Sequence, residues 1–134
     1  MKIKSSKELV EKALKQVKSI DLKQLKTLID TSSCTIIDVR DIRELYNTGT
    51  LTNALHIPRG MIEFWVDEAS PYYKKGEFDS EKNIVIFCAA GERSALAAKT
   101  LLDMGYKKVF HVKKGYKAIS ESGLFQLSEL KKKK

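Results

Sequence analysis

The chain has 134 residues and a formal net charge of +8, with 43% hydrophobic and 31% charged residues. This length and composition predict one globular domain with a buried core and exclude disordered and fibrous classes. The apolar runs are too short to span a bilayer, and the first residues contain charges but no apolar leader segment. With only two cysteines, we expect a cytoplasmic protein without a disulfide framework.

The positive charge is concentrated at the two ends of the chain. Eight lysines lie within residues 1–26 and four more form residues 131–134, while the part between them is nearly neutral. A tail of lysines is most simply a solvated end. Because no aromatic stacking platform accompanies these lysines, nucleic-acid binding is not expected. The short apolar runs give no reason to expect a membrane partner either.

The first two predicted elements are helices. Residues 7–18 carry apolar side chains on one face and predict an amphipathic helix that packs as an added element on the outside of the domain. A helix that binds a partner is the alternative. Asp21 and Gln24 form a capping-box pattern that predicts the start of a second helix. We therefore divide the chain into a helical extension over residues 1–18, a domain over 19–125 and a basic tail over 126–134.

Strands and helices alternate in the rest of the chain. The predicted elements, in order, are strands over 35–39 and 54–57, a helix-like segment over 58–66, a loop over 72–79, a strand over 84–87, a helix over 94–103, a strand over 109–112 and a helix over 117–122. This α/β order predicts a central, mostly parallel sheet of about five short strands with helices on both faces. A ligand site is expected at the carboxyl ends of the strands.

Cys88 lies at such a strand end. It follows the apolar run Ile84–Phe87 and precedes a short turn with Gly91, after which an Ala- and Leu-rich helix begins. Backbone amides in such a turn and the dipole of the following helix favour a thiolate. Gly91 supplies a backbone conformation that other residues resist. The pattern therefore predicts a reactive cysteine.

The loop after Cys88 carries a family resemblance. Four residues, Ala89, Ala90, Gly91 and Glu92, separate Cys88 from Arg93 and Ser94. Cysteine-dependent phosphatases have a loop one residue longer, which forms a wider bowl for phosphate. The shorter loop fits a persulfide, and its Cys-x-x-Gly-x-Arg-Ser pattern resembles the active loop of the rhodanese family of sulfurtransferases.

Three further segments resemble the same family. They are the Asp38-Val39-Arg40 segment with the short helix after it, the Gly49–Pro58 segment with Leu51 and Asn53 at positions where Ile and Gly are common, and the weaker Gly115-Tyr116-Lys117-Ala118 element. Together the pieces cover about residues 20–124 in the family's order. The resemblance implies a rhodanese-like fold for the predicted domain.

The resemblance also implies a double displacement. Cys88 would take a sulfur atom from a small donor such as thiosulfate, hold it as a persulfide, and pass it to a thiol, cyanide or a protein acceptor. No cofactor beyond the persulfide is implied, and the scattered Cys and His residues have no metal-ligand spacing. Two other classes remain open: a persulfide carrier or non-catalytic partner-binding module, and a cysteine-dependent phosphatase or arsenate reductase.

The roles around Cys88 are expectations of different kinds. Arg93 either binds an anionic donor or turns outward to an acidic neighbour. Ser94 either caps the following helix, the simpler role, or donates a hydrogen bond to the persulfide. We expect Glu92 to point to solvent and Arg59 to contact a substrate anion.

Other polar residues are assigned supporting roles. The resemblance implies that Asp38 and Arg40 are a structural pair beside the loop. His56 is a lone histidine in the sequence and is expected to make a hydrogen bond at a strand end rather than to act in catalysis or bind a metal, and His111 is similarly isolated in the sequence. Cys34 precedes Asp38 by about 13 Å of strand, which places it at the opposite sheet edge from Cys88 and argues against a disulfide.

Overall fold

A computed structural model describes residues 2–73 and 78–131 of the chain. The helices are α1 (Ser6–Gln16), α2 (Leu22–Asp30), α3 (Ile42–Thr48), α4 (Ile62–Trp65), α5 (Glu92–Asp103) and α6 (Gly115–Ser122). The strands are β1 (Lys18–Ile20), β2 (Cys34–Asp38), β3 (Thr50–Leu51), β4 (Leu55–His56), β5 (Asn83–Phe87), β6 (Val109–Val112) and β7 (Leu127–Ser128). A 3₁₀ turn over Arg59–Met61 precedes α4.

Five strands form one sheet in the order β1-β6-β5-β2-β4, and every neighbouring pair is parallel. β5 lies at the centre, and its last four residues are buried. Because β5 is covered on both faces, it has the continuous apolar run of an inner parallel strand. The predicted α/β class, with a parallel sheet of five strands, is confirmed.

Alternating side chains of β5 divide the core into two layers. Ile84 and Ile86 pack with Leu101 of α5 on one face. Val85 and Phe87 face the other layer, which contains Leu25 of α2. Ile119 of α6 is also in this second layer, so helices cover both faces as predicted.

The start of the chain differs from the prediction. α1 ends at Gln16, and Lys18, predicted as helical, begins strand β1. β1 was missed because only Ile20 of its three residues is buried, so no period-2 pattern marks it. Ala13 of α1 is fully buried and Val17 joins the same core layer as α5. α1 therefore packs on the core and covers part of it.

The predicted tail also begins with a structured segment. β7, within the predicted tail over 126–134, pairs antiparallel with β3 through Thr50↔Ser128 and Leu51↔Leu127. A two-residue pairing of this kind has no pattern that sequence alone reveals. Residues 132–134 of the tail and 74–77 of the predicted loop lie outside the described residues, and the domain boundaries stay predictions. No helix in the described ranges combines the length and the apolar character needed to cross a membrane.

Candidate active site

Cys88 directly follows β5 and is 1% exposed to solvent. The backbone amides of Gly91 and Ser94 donate to Cys88 Sγ at 3.1 and 3.3 Å, and Ser94 Oγ lies 3.5 Å from the same sulfur. Hydrogen-bond donors fixed around one sulfur stabilise negative charge on it. The predicted loop geometry is thus present around Cys88.

Gly91 shapes the loop before α5. Its φ is +108°, a left-handed conformation that side chains resist, and a Cβ at this position would collide with the carbonyl oxygen of Lys113. Gly91 is itself the N-cap of α5, with no side-chain cap. The expectation that Ser94 caps α5 is therefore wrong, because Ser94 is already the third residue of the helix and its hydroxyl is buried against the sulfur.

Helix α6 holds the loop from the other side. The amide of Tyr116 donates to the carbonyl oxygen of Cys88 at 2.8 Å, and that of Lys117 donates to the carbonyl of Ala89 at 3.2 Å. Gly115, with φ +66°, allows this approach, since a Cβ there would lie 2.5 Å from the carbonyl oxygens of Cys88 and Ala89. The loop backbone is thereby fixed at both of its first residues.

Arg93 pairs with an acidic residue of α3. Its guanidinium makes two hydrogen bonds to the carboxylate of Glu44, at 2.8 and 2.9 Å. Each partner holds the other charged: the hydrogen bond lowers the pKa of Glu44 and raises the pKa of Arg93. Glu44 is itself fixed, because it accepts a hydrogen bond from the Asp41 amide in the capping box of α3. Of the two roles open for Arg93, the structure has the outward ion pair.

Asp38 and Arg40 form a buried ion pair at the end of β2. Arg40 Nη2 lies 2.8 Å from Asp38 Oδ2, and the side chains are 2% and 0% exposed. Arg40 also donates to Thr48 Oγ1 and to the carbonyl of Gly49, and its Cζ lies 4.1 Å from the centre of the Tyr116 ring. A buried pair with these extra hydrogen bonds fixes β2, α3 and α6 beside the loop.

The other predicted site residues, Glu92, Ala90 and Arg59, make no hydrogen bond to Cys88 Sγ. Glu92 is exposed, as expected, and so is Ala90. Arg59 donates to Glu63 and to Thr100 Oγ1 at 3.3 and 3.1 Å. Thr100 lies about 12 Å along α5 from the end that holds the loop. The structure does not bring the Arg59 guanidinium to the loop, and its contact with a substrate anion stays a prediction.

His111 was missed as a neighbour of the site. It is fully buried on β6; its Nδ1 lies 3.1 Å from Ser94 Oγ and its Nε2 lies 2.7 Å from Ser19 Oγ. Burial lowers the pKa of His111. His111, isolated in the sequence, thus makes hydrogen bonds, but its place next to Ser94 was not predicted. The sequence held one signal: in the apolar strand Val109–Val112 a histidine needs buried partners, although their identity depends on the sheet register.

Two other sequence predictions concern residues away from the loop. His56 Nε2 donates to the carbonyl oxygen of Arg40 at 2.7 Å, which confirms a hydrogen bond at a strand end. Cys34 pairs with Asn83 at the opposite end of β5 from Cys88 and is a free thiol, whose pKa is raised by burial. Among residues 2–73 and 78–131, no group of three or more metal-ligating side chains comes together.

Comparisons with known proteins agree with this geometry. The family model of the rhodanese-like domain matches residues 21–122. The candidate sulfur carrier protein YrkF of Bacillus subtilis is 33% identical over 100 residues, which cover 74% of this chain and 49% of YrkF. The chain thus spans about half the length of that relative.

Two solved structures are similar over most of both chains. A Rhodopseudomonas palustris protein of unknown function, RPA3614, described as a candidate tyrosine phosphatase, is 34% identical with a TM-score of 0.86, covering 96% of this chain and 97% of its own. The human single-domain sulfurtransferase TSTD1 is 25% identical with a TM-score of 0.66, covering 77% and 95%. The matched family domain includes four strands of the five-stranded sheet (β2, β4, β5 and β6), the Cys88 loop and α6, and the chain belongs to the rhodanese-like family.

Proposed function

We propose that the protein is a sulfurtransferase that moves sulfane sulfur from a donor such as thiosulfate to a thiophilic acceptor through a Cys88 persulfide. Sulfur transfer in general is supported by the family and by its sulfur-carrier and sulfurtransferase relatives. The observation that carries the finer proposal is that the amides of Gly91 and Ser94 both donate to Cys88 Sγ, which also lies 3.5 Å from Ser94 Oγ.

The first half-reaction is a displacement at sulfur. The Cys88 thiolate attacks the outer sulfur of thiosulfate, a bond forms between the two sulfurs, and the bond to the sulfonate group breaks with its electron pair leaving on sulfite. The product keeps one negative charge on the terminal sulfur of the persulfide. Fixed amides and the N-terminus of α5 stabilise that charge without reorganising.

The second half-reaction returns the enzyme to its starting state. A nucleophile such as cyanide attacks the terminal sulfur, the sulfur–sulfur bond breaks, and its electron pair returns to Cys88 as thiolate. Thiocyanate leaves with the transferred atom. Because the thiolate is both nucleophile and leaving group, neither half-reaction requires a general base once Cys88 is ionised.

Phosphate-ester hydrolysis is the competing activity, because the Rhodopseudomonas palustris relative is described as a candidate tyrosine phosphatase. The Arg93–Glu44 pair disfavours it, since a carboxylate neutralises the guanidinium that would bind a phosphate dianion. A persulfide, with a single negative charge, depends less on that arginine.

The test is a paired turnover assay on the wild type, Cys88→Ser and Cys34→Ser. We expect thiocyanate formation from thiosulfate and cyanide in the wild type and in Cys34→Ser, and none in Cys88→Ser. Hydrolysis of an aryl phosphate should stay at the level of Cys88→Ser in all three proteins. Aryl phosphate turnover that depends on Cys88, without thiocyanate formation, would replace the proposal with a phosphatase.

A further inference from the structure

A line of hydrogen bonds leads from Cys88 through the protein to the surface behind the loop. Cys88 Sγ lies 3.5 Å from Ser94 Oγ, Ser94 Oγ lies 3.1 Å from His111 Nδ1, and His111 Nε2 lies 2.7 Å from Ser19 Oγ. The first three residues are at most 1% exposed, whereas Ser19 is exposed. The reacting sulfur is thus connected to solvent by three side chains.

The sheet register produces this line. Ser19 of β1 lies beside His111 of β6, and His111 lies beside Ile86 of β5. Because neighbours in register face the same side of a sheet, these side chains point to the layer that also contains Cys88, two residues beyond Ile86. The first turn of α5 then places Ser94 between the sulfur and the imidazole.

The groups along the line are all neutral while Cys88 is a thiol. Ser94 faces the imidazole from α5 and Ser19 faces it from β1, while Cys88 of β5 lies one hydrogen bond further. The positive charge of Arg93 interacts with Cys88, and this charge is already paired with Glu44. Since burial keeps His111 neutral, its ring has one N–H and one bare nitrogen at any moment.

We propose that Ser94, His111 and Ser19 form a proton-transfer path that carries the thiol proton of Cys88 to solvent. Before ionisation, the S–H donates to Ser94 Oγ, the Ser94 hydroxyl donates to Nδ1, and Nε2–H donates to Ser19 Oγ. Ionisation moves one proton along each bond: from sulfur to Ser94, from Ser94 to Nδ1, from Nε2 to Ser19, and from Ser19 to water. No electrons are transferred, and the only new charges are the thiolate and the released proton.

The path couples the tautomer of His111 to the charge on Cys88. After the transfer, Nδ1–H donates to Ser94 Oγ, and the Ser94 hydroxyl donates to the thiolate beside the two amides. The carbonyl of Gly91, 3.2 Å from Ser94 Oγ, is the competing acceptor for this hydroxyl. To receive the Ser94 hydrogen bond, the bare Nδ1 must displace the Gly91 carbonyl while Cys88 is a thiol. The Cys88 sulfur must displace the same carbonyl once it is a thiolate.

The direct test is nitrogen NMR of the two imidazoles in ¹⁵N-labelled resting protein, recorded through the titration of the Cys88 thiol. Ionisation of Cys88 is followed independently as the ultraviolet absorbance difference between the wild type and Cys88→Ser. We expect His111 to change from the Nε2–H to the Nδ1–H tautomer with the same midpoint as Cys88, and to stay in one tautomer in Cys88→Ser. His56 is the internal control, because its Nε2–H is held by the Arg40 carbonyl.

A variant set separates this path from a purely structural role. Ser94→Ala removes a hydrogen bond to the thiolate, and we expect the ionisation constant of Cys88 to fall about tenfold. We expect His111→Leu to lower the ionisation constant of Cys88 as well. The double variant should have the same ionisation constant as Ser94→Ala alone, because His111 acts only through Ser94. Additive effects, or a His111 tautomer that ignores the charge on Cys88, would overturn the proposal.

The inference rests on Cys88 being the nucleophile of the proposed function, but its test involves no sulfur donor. If the protein forms no thiocyanate but the His111 tautomer still follows the charge on Cys88, the proposed function is wrong and the proton path stands. The reverse outcome would keep sulfur transfer and remove the path. The NMR titration of the wild type gives a result even if His111→Leu does not fold.

Discussion

The groups in contact with the Cys88 sulfur are fixed dipoles. The sulfur faces two backbone amides and one hydroxyl, while the acidic side chain of the same loop, Glu92, is exposed. The positive charge of Arg93 is shared with Glu44 in a half-exposed pair. Since amide dipoles are positioned by the backbone, they stabilise an anion without the entropy cost of ordering a long side chain.

The Arg93–Glu44 pair predicts a change in donor binding. In Glu44→Gln, the capping hydrogen bond of α3 is retained, but Arg93 is free to attract thiosulfate, so we expect the KM for thiosulfate to fall about twofold to fivefold. Glu92→Gln is the matched control, because it removes the same charge from an exposed loop residue. Steady-state kinetics with cyanide as acceptor measure both. An equal fall in the two variants would mean that overall charge, and not release of Arg93, controls binding.

Buried His111 predicts a loss of stability in mild acid. Burial lowers its pKa from the ordinary 6.5, so the unfolded chain binds a proton more readily than the folded one. The contribution of neutral His111 to the free energy of unfolding is fully present above the ordinary pKa. Below that pH, the free energy of unfolding falls by about 1.4 kcal/mol per pH unit until the lowered pKa of His111 is reached.

Urea unfolding at about pH 7 and about pH 5.5 measures how far the free energy of unfolding falls between these pH values. Both values lie above the range in which Glu44 gains a proton, so Glu44 does not contribute to the fall. His111→Leu should lose much less stability between these two pH values than the wild type. The same loss in both proteins would show that other groups cause the acid sensitivity.

At the scale of elements, the loop depends on the packing of α6 against it. The first amides of α6 donate to the carbonyls of Cys88 and Ala89, and the close approach requires the missing side chain of Gly115. The ring of Tyr116 packs on Arg40, which pairs with Asp38. One helix start therefore joins the reactive loop to the buried ion pair of β2.

This contact predicts a strong effect of one methyl group. Gly115→Ala adds a Cβ against two carbonyl oxygens at a positive φ, and we expect a loss of about 2–4 kcal/mol of stability with at least about tenfold slower sulfur transfer. Gly60→Ala is the matched control, since no atom lies within 4 Å of its added Cβ. Thermal unfolding and thiocyanate formation measure both variants. Normal activity in a stable Gly115→Ala protein would show that the loop does not depend on this contact.

The sequence predicts the elements that carry dense local signals. The apolar run before Cys88 predicts β5, and the capping pair Asp21–Gln24 marks the start of α2, which the structure confirms with both hydrogen bonds. Gly91 was identified as a position of special conformation. Asn53, which departs from the family's glycine, also adopts a positive φ of 71°, as asparagine tolerates.

The missed features depend on contacts between distant parts of the chain. β1 has three residues and one buried side chain, so its strand conformation comes from pairing with β6. The partners of His111 follow from sheet register, which a single sequence does not fix. The choice of Arg93 between substrate and Glu44 depends on where α3 packs, and the sequence left both roles open.

At the scale of the whole molecule, the N-terminal helix belongs to the core layer that includes Cys88. Ala13 of α1 is fully buried, with 0% of its surface accessible to solvent. Val17 lies in the same core layer as Ile84 and Ile86. Helix α1 packs on α5, the helix whose first turn binds the sulfur. The extension thus supports the element that positions Ser94.

Two neighbouring residues of α1 test this packing. Ala13→Gln forces a polar side chain into a filled space, and we expect a loss of about 2–4 kcal/mol of stability. Leu14→Gln, at a position 44% exposed, should cost less than about 1 kcal/mol. Urea unfolding gives both values. Equal, small effects would mean that α1 is detached from the core in solution.

The central claim is that Cys88 holds a transferable sulfur atom, and intact mass after incubation with thiosulfate tests it most directly. The account predicts that the wild type and Cys34→Ser each gain one sulfur atom, that cyanide removes it, and that Cys88→Ser gains none. A wild type that gains no sulfur, or a Cys88→Ser protein that gains as much as the wild type, would contradict a Cys88 persulfide formed from thiosulfate.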